Sequence, residues 1–74
     1  MAAEEDIQVQ FGRRVRELRR VKGLSQEKLG FATELDQTYI SDIERGTRNV
    51  SLKNINLLAK ALGVSLGDLF APLI

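Results

Sequence analysis

The chain has no cysteine and no histidine among its 74 residues. Without cysteine there is no disulfide framework, and without either residue there is no zinc finger and no His-based catalysis. A glycine-rich phosphate loop is also missing. The acidic residues fit helix caps and ion pairs, so the sequence does not read as an enzyme and calls for no metal or cofactor. No apolar run approaches the roughly 18 residues of a membrane span. A soluble, cytoplasmic protein is expected. No segment reads as a strand, and there is no internal repeat or low-complexity stretch. A chain this short forms one domain, burying only about 60% of the surface its unfolded form exposes. Its stability must come from apolar packing or from a partner subunit.

Charge is nearly balanced, with eleven Lys and Arg against ten Asp and Glu, a net +1. That balance alone argues poorly for nucleic acid. Its distribution says more, because Glu4, Glu5 and Asp6 lie in an acidic segment, 1–6, expected to be flexible. Setting those three aside leaves eleven basic against seven acidic residues, or +4. Seven basic residues fall between Arg13 and Lys28, six of them from Arg13 to Lys22. Charge alone does not separate a solvated helix face from a phosphate-binding one.

What the sequence does have is one helical grammar, used repeatedly. Ile7, Phe11, Val15 and Leu18 recur at helical spacing opposite Arg13, Arg16 and Arg20, and Gly23 stands where a left-handed cap belongs. Ser25 then reads as an N-cap, flanked by Leu24 and Leu29, the pair that forms a hydrophobic staple. The arrangement returns as Leu35, Asp36, Ile40, as Val50, Ser51, Ile55, and as Val64, Ser65, Leu69. The third helix is predicted from about Gln37 to Arg45, stopping at Gly46. The fourth runs from Leu52 to Leu62, stopped by Gly63, and a short fifth is closed by Pro72. The link between the second and third helices spans about three or four residues, which fits a helix-turn-helix. The fold class is therefore all-α, a compact five-helix domain over 7–74.

Projected at 100° per residue, the third helix turns Ile40 and Ile43 inward and Gln37, Thr38, Ser41, Asp42 and Arg45 outward. In a docked helix-turn-helix the start of the second helix of the motif reaches base edges in the major groove, and a glutamine amide can bind adenine at N6 and N7. Gln37 is thus the first candidate for base readout. Thr38 offers a hydroxyl and a methyl; Asp42 either accepts from cytosine N4 or repels phosphates as a filter. Tyr39 lies between the faces, as a DNA contact or as a ring packed on the junction of the second and third helices. Phosphate contacts position the protein rather than read sequence. Their candidates are the start of the second helix, Ser25 and Gln26, and the polar, basic patch of Arg45, Thr47, Arg48, Asn49 and Lys53.

The stretch LSQEKLGFATELDQTYISDIERGTRN, Leu24 to Asn49, resembles the helix-turn-helix of the Cro and phage-repressor, or xenobiotic-response-element, family. The segments Ile40 to Gly46 and Leu57 to Val64 match that family in order and spacing, and the likeness runs from about Phe11 to Phe70. It implies a lambda-repressor-like DNA-binding domain. The TYIS segment, the ERG turn and the RN pair look like the controller proteins of restriction–modification systems, which implies a homodimer on a palindromic operator. By the same resemblance Gln26 touches phosphate, Gln37, Thr38, Tyr39 and Ser41 face the major groove, and Arg48 and Asn49 meet the backbone. It further implies a structural ion pair between Arg19 and Glu44. Three positions depart from the pattern: Glu34 and Gly30, where the family favours glycine and alanine, and Gln37, where many members carry arginine.

One short recognition helix reads few base pairs, and pairing two modules by symmetry roughly doubles the reading. Leu66, Leu69, Phe70, Leu73 and Ile74 are expected to supply core and, for the rest, an isologous dimer surface. The expected partners are double-stranded DNA and a second copy, with no membrane and no small-molecule ligand. An antitoxin or protein-interaction module with this fold, and a phage-type repressor lacking its regulatory domain, remain alternatives.

Overall fold

Every helix begins on a side-chain oxygen that satisfies one of its unpaired amides. The computed structural model describes residues 5–73; the expectations for residues 1–4 and for Ile74 lie outside them. Helix α1 covers Ile7–Val21, α2 Gln26–Thr33, α3 Gln37–Arg45, α4 Leu52–Leu62 and α5 Leu66–Phe70, followed by a 3₁₀ turn, Ala71–Leu73. Asp6, expected in a flexible segment, is the N-cap of α1 and accepts from the Gln8 amide at 2.7 Å. Ser25, Asp36, Ser51 and Ser65 cap the other four helices. Of the apolar partners that follow these caps, Leu29, Ile40 and Leu69 are fully buried, and Ile55 packs against the same core.

The helix ends share a second device. After α1, α2, α3 and α4, a residue with positive φ reverses the chain, and the next amide donates back to a carbonyl five residues earlier: Leu24 to Arg19, Leu35 to Gly30, Thr47 to Asp42, Val64 to Ala59. This satisfies carbonyls the helix leaves open. Three of the four left-handed positions are glycine; the fourth is Glu34, at φ 60° and ψ 24°. The turn between α2 and α3 is therefore not rebuilt around the glutamate, and its left-handed backbone costs about 1–2 kcal/mol. Compensation comes from Thr33, a buried residue whose hydroxyl donates to the Leu29 carbonyl at 2.8 Å and accepts from the Leu35 amide at 3.3 Å.

The core gathers Phe11 and Val15 of α1, Leu29 of α2, Ile40 and Ile43 of α3, Leu58, Ala59 and Leu62 of α4, and Leu69 of α5. Helix α1 lies hard against the end of α3. A methyl group on Gly12 would stand 2.1 Å from the Ile43 carbonyl oxygen, so only glycine admits this approach. Gly30 is similarly close to its neighbour: a methyl there would be 2.8 Å from the Leu35 carbonyl oxygen. Alanine, the residue expected there from the resemblance, does not fit this turn.

The apolar side chains of α5 and the 3₁₀ turn face mostly inward, not towards a partner. Leu69, expected at a dimer interface, is fully buried, because α5 folds under α1 and drives it into the core. Phe70 stacks on Phe11 with ring centroids 5.5 Å apart, and Leu73 is half-buried against the core. Of the described members of this set, Leu66 is the large side chain left substantially exposed, at 40%.

Candidate nucleic-acid interface

Four of the six cations from Arg13 to Lys22 have partners within the molecule. Arg14 donates to the Asp68 and Leu69 carbonyls at 2.8 and 3.1 Å, and Lys22 to the Ala61 carbonyl at 3.1 Å. Both cations thus sit at the carbonyl-rich ends of helices, where positive charge is favoured. Arg13 pairs with Glu5 at 2.6 Å. Arg16 and Arg20 stay exposed. The run that charge alone left open between a solvated and a phosphate-binding face is thus mostly engaged within the fold.

Arg19 and Glu44 form the expected ion pair. The guanidinium donates to both carboxylate oxygens at 2.6 and 2.9 Å and to the Leu24 carbonyl at 2.9 Å. The side chains are 11% and 3% exposed. These hydrogen bonds, more than the attraction between the charges, raise the proton affinity of Arg19 above its ordinary value, against the opposing effect of burial. The Gln26 side chain completes the cluster, donating from Nε2 to Glu44 at 3.1 Å. A side chain expected to touch phosphate is thereby turned inward, and the anion-binding capacity at the start of α2 rests on its backbone amides. Ser25 accepts from the Lys28 amide at 3.1 Å.

The outer face of α3 divides in two. Gln37 and Thr38, at its start, are exposed, and Asp36 holds the Thr38 amide at 2.8 Å. Further along, the polar groups engage one another. Asp42 gives one carboxylate oxygen to Arg45 and the other to Arg48, the latter at 3.2 Å, while Arg45 also donates to the Ser41 hydroxyl at 2.8 Å. Arg48 lies over the Tyr39 ring, 5.3 Å from its centroid. The Tyr39 hydroxyl accepts from Nδ2 of Asn54 at 3.2 Å. The Tyr39 hydroxyl is therefore tied to α4, and its ring is partly buried against the core. Asn49 and Lys53 are exposed beside this network.

Sequence reasoning missed Asn54, which fixes Tyr39 from 15 positions away, and no local signal marks it. It also missed Gly12, whose sign was a glycine in the middle of an otherwise good helix. Among the described residues, no group of three or more Asp and Glu is placed to hold a metal ion.

Residues 15–69 match the helix-turn-helix family. The control protein C.BamHI of Bacillus amyloliquefaciens is 58% identical over 65 residues, which cover 86% of this chain and 80% of that protein. Among solved structures, the restriction-modification controller protein C.AhdI from Aeromonas hydrophila superposes with a TM-score of 0.84 at 55% identity, covering 86% of this chain and 97% of that one. The controller protein C.Esp1396I, solved as a tetramer in complex with its natural 35 base-pair operator, superposes with a TM-score of 0.85 at 37% identity, covering 95% and 92%. The chain belongs to the helix-turn-helix family and, within it, to the restriction-modification controller proteins.

Proposed function

We propose that this protein is a transcriptional regulator that binds duplex DNA by sequence, as a homodimer on a palindromic operator governing restriction–modification genes. The observation that carries this reading is the α3 face itself. Its first turn presents Gln37 and Thr38 to solvent with no internal partner among the described residues, and its far end carries the Arg45 and Arg48 guanidinium groups. A helix that enters the major groove by its start meets base edges first and the backbone beyond. Gln37 binds adenine at N6 and N7, and Thr38 contacts a base or a thymine methyl. Ser41 and Tyr39, already bonded within the protein, contribute through their remaining surface. The α2 amides at Ser25 and Gln26, with Arg48, Asn49 and Lys53, position the molecule on phosphates. A relative solved in complex with its 35 base-pair operator supports the reading as a DNA-binding regulator.

Two recognition helices about 34 Å apart match half-sites separated by one turn of DNA. Leu66, with the exposed parts of Phe70 and Leu73, is the apolar surface on which a second copy closes, and Ile74 belongs to the same proposal.

The test is selection of sites from a random duplex library by the purified protein at about 0.15 M salt. The expected product is an inverted repeat with half-site centres about ten base pairs apart. No enrichment by a folded, dimeric protein would refute the reading in favour of a protein-interaction module. On the selected site, Gln37→Ala should cost roughly 1–3 kcal/mol and matter little on random DNA, whereas Arg48→Ala weakens both.

A further inference from the structure

Asp42 is out of place by two local criteria. It sits in the second half of α3, where the helix dipole disfavours negative charge. It also lies on the face proposed to approach phosphates, which a carboxylate repels. Yet it is only 16% exposed, while the Arg45 and Arg48 side chains that grip its two oxygens are 61% and 51% exposed. Each arginine has a second protein partner, Ser41 for Arg45 and the Tyr39 ring for Arg48. The arginines are thus held from beneath by the same chemistry a phosphate would offer from above.

We infer that Asp42 is a positioning residue that governs discrimination between operator and other DNA, by competing with phosphates for Arg45 and Arg48. The inference rests on the DNA-binding reading above. With both arginines paired, the trio carries +1 rather than the +2 of two free guanidinium groups. Phosphates of any sequence must displace the carboxylate to recruit them, so attraction to random DNA is discounted. On the operator, base contacts by Gln37 and Thr38 hold the backbone in register, and the exchange from carboxylate to phosphate becomes intramolecular and favourable. Discrimination matters because a genome presents non-specific sites in vast excess.

The experiment compares wild type with Asp42→Asn, which keeps size and removes charge, on the selected site and on a random-sequence duplex across a salt series. Each arginine released to phosphate steepens the dependence of log affinity on log salt by about 0.9. One or two released arginines therefore steepen the random-duplex slope by about 0.9–1.8. If the curves converge near 1 M salt, affinity for the random duplex at about 0.15 M rises roughly 5- to 30-fold. The gain on the selected site should be several-fold smaller, and Asp42→Glu should restore the wild-type slope. In an Arg45→Ala, Arg48→Ala background the slope change should vanish.

An unchanged random-duplex slope in Asp42→Asn overturns the inference, as does an equal gain on both duplexes. Persistence of the gain without the two arginines also overturns it, because Asp42 would then act only by repelling phosphates. A wild-type protein that binds neither duplex in a salt-dependent way refutes the DNA-binding reading itself, and this inference falls with it.

Discussion

Removing Arg19 should destabilise the domain more than removing Glu44, although both changes break the same ion pair. The asymmetry follows from what each leaves behind. In Arg19→Ala the Glu44 carboxylate, 3% exposed, loses its two guanidinium bonds and keeps only the Gln26 amide at 3.1 Å. A buried charge stranded in this way costs about 3–5 kcal/mol. In Glu44→Ala the guanidinium keeps the Leu24 carbonyl at 2.9 Å, and its long stem lets the head turn towards water. The cost is then nearer 2–3 kcal/mol, that of lost charge-assisted hydrogen bonds. At about 0.05–0.15 kcal/mol per residue, a domain of this size holds on the order of 4–11 kcal/mol in total. The first variant should therefore lose from roughly a quarter to all of that stability, and the second a smaller share. Replacing both, as Arg19→Met with Glu44→Leu, should cost less than Arg19→Ala alone, because no charge remains to strand. Urea unfolding followed by circular dichroism, at one fixed protein concentration, measures all three. Equal losses in the two single variants, or a double variant equal to their sum, would refute the account of the carboxylate as the costly half.

Three other changes test the backbone and the N-terminal segment. Gly12→Ala should cost about 3 kcal/mol, the upper end of the usual overpacking range, because the methyl meets backbone carbonyl oxygens of α3 that no rotamer change can move aside; a thermal melt matching wild type would contradict the packing of α1 on α3. Glu34→Gly should stabilise, since relief of about 1–2 kcal/mol of left-handed strain outweighs about 0.5–1 kcal/mol of added chain freedom. The melting temperature should rise by about 3–6 °C, and a fall would mean that the Glu34 side chain makes a stabilising contribution. The Arg13 guanidinium, chiefly through its hydrogen bonds, holds the Glu5 carboxyl below its ordinary value. A carboxyl lowered by folding stabilises above its usual titration range and loses that contribution as pH falls from there through its lowered value. Glu5→Gln should accordingly melt slightly below wild type at neutral pH and converge with it in acid; a gap that widens in acid would show the opposite sign.

Helix ends were the most legible feature of the sequence, because caps and staples are written within five or six consecutive residues. The predicted bounds of α3 and α4 coincide with those observed, and Ser25, Asp36, Ser51 and Ser65 are all caps. The Arg19–Glu44 pair came from resemblance rather than from spacing, and its geometry follows that expectation. What depended on tertiary placement was hidden. Leu69 reads as surplus apolar surface until α5 is known to tuck beneath α1. Gln26 reads as a free amide until the end of α3 is known to place Glu44 within its reach. The Asp42 network requires Arg48 to return over Tyr39 through the loop after Gly46, a path that no periodicity specifies.

The junction of α1 with α5 also bears on how the molecule opens. Terminal helices commonly fray first, and a five-residue helix alone has almost no stability of its own. Here Phe70 stacks on Phe11, and Arg14 holds the carbonyls of Asp68 and Leu69, so that the end of the described chain is fastened to its first helix. Lifting α5 would expose Leu69 and uncover Phe11 together. Amide hydrogens at the end of α5 should consequently exchange with solvent at the pace of the whole domain, as part of a single cooperative unit that closes like a ring.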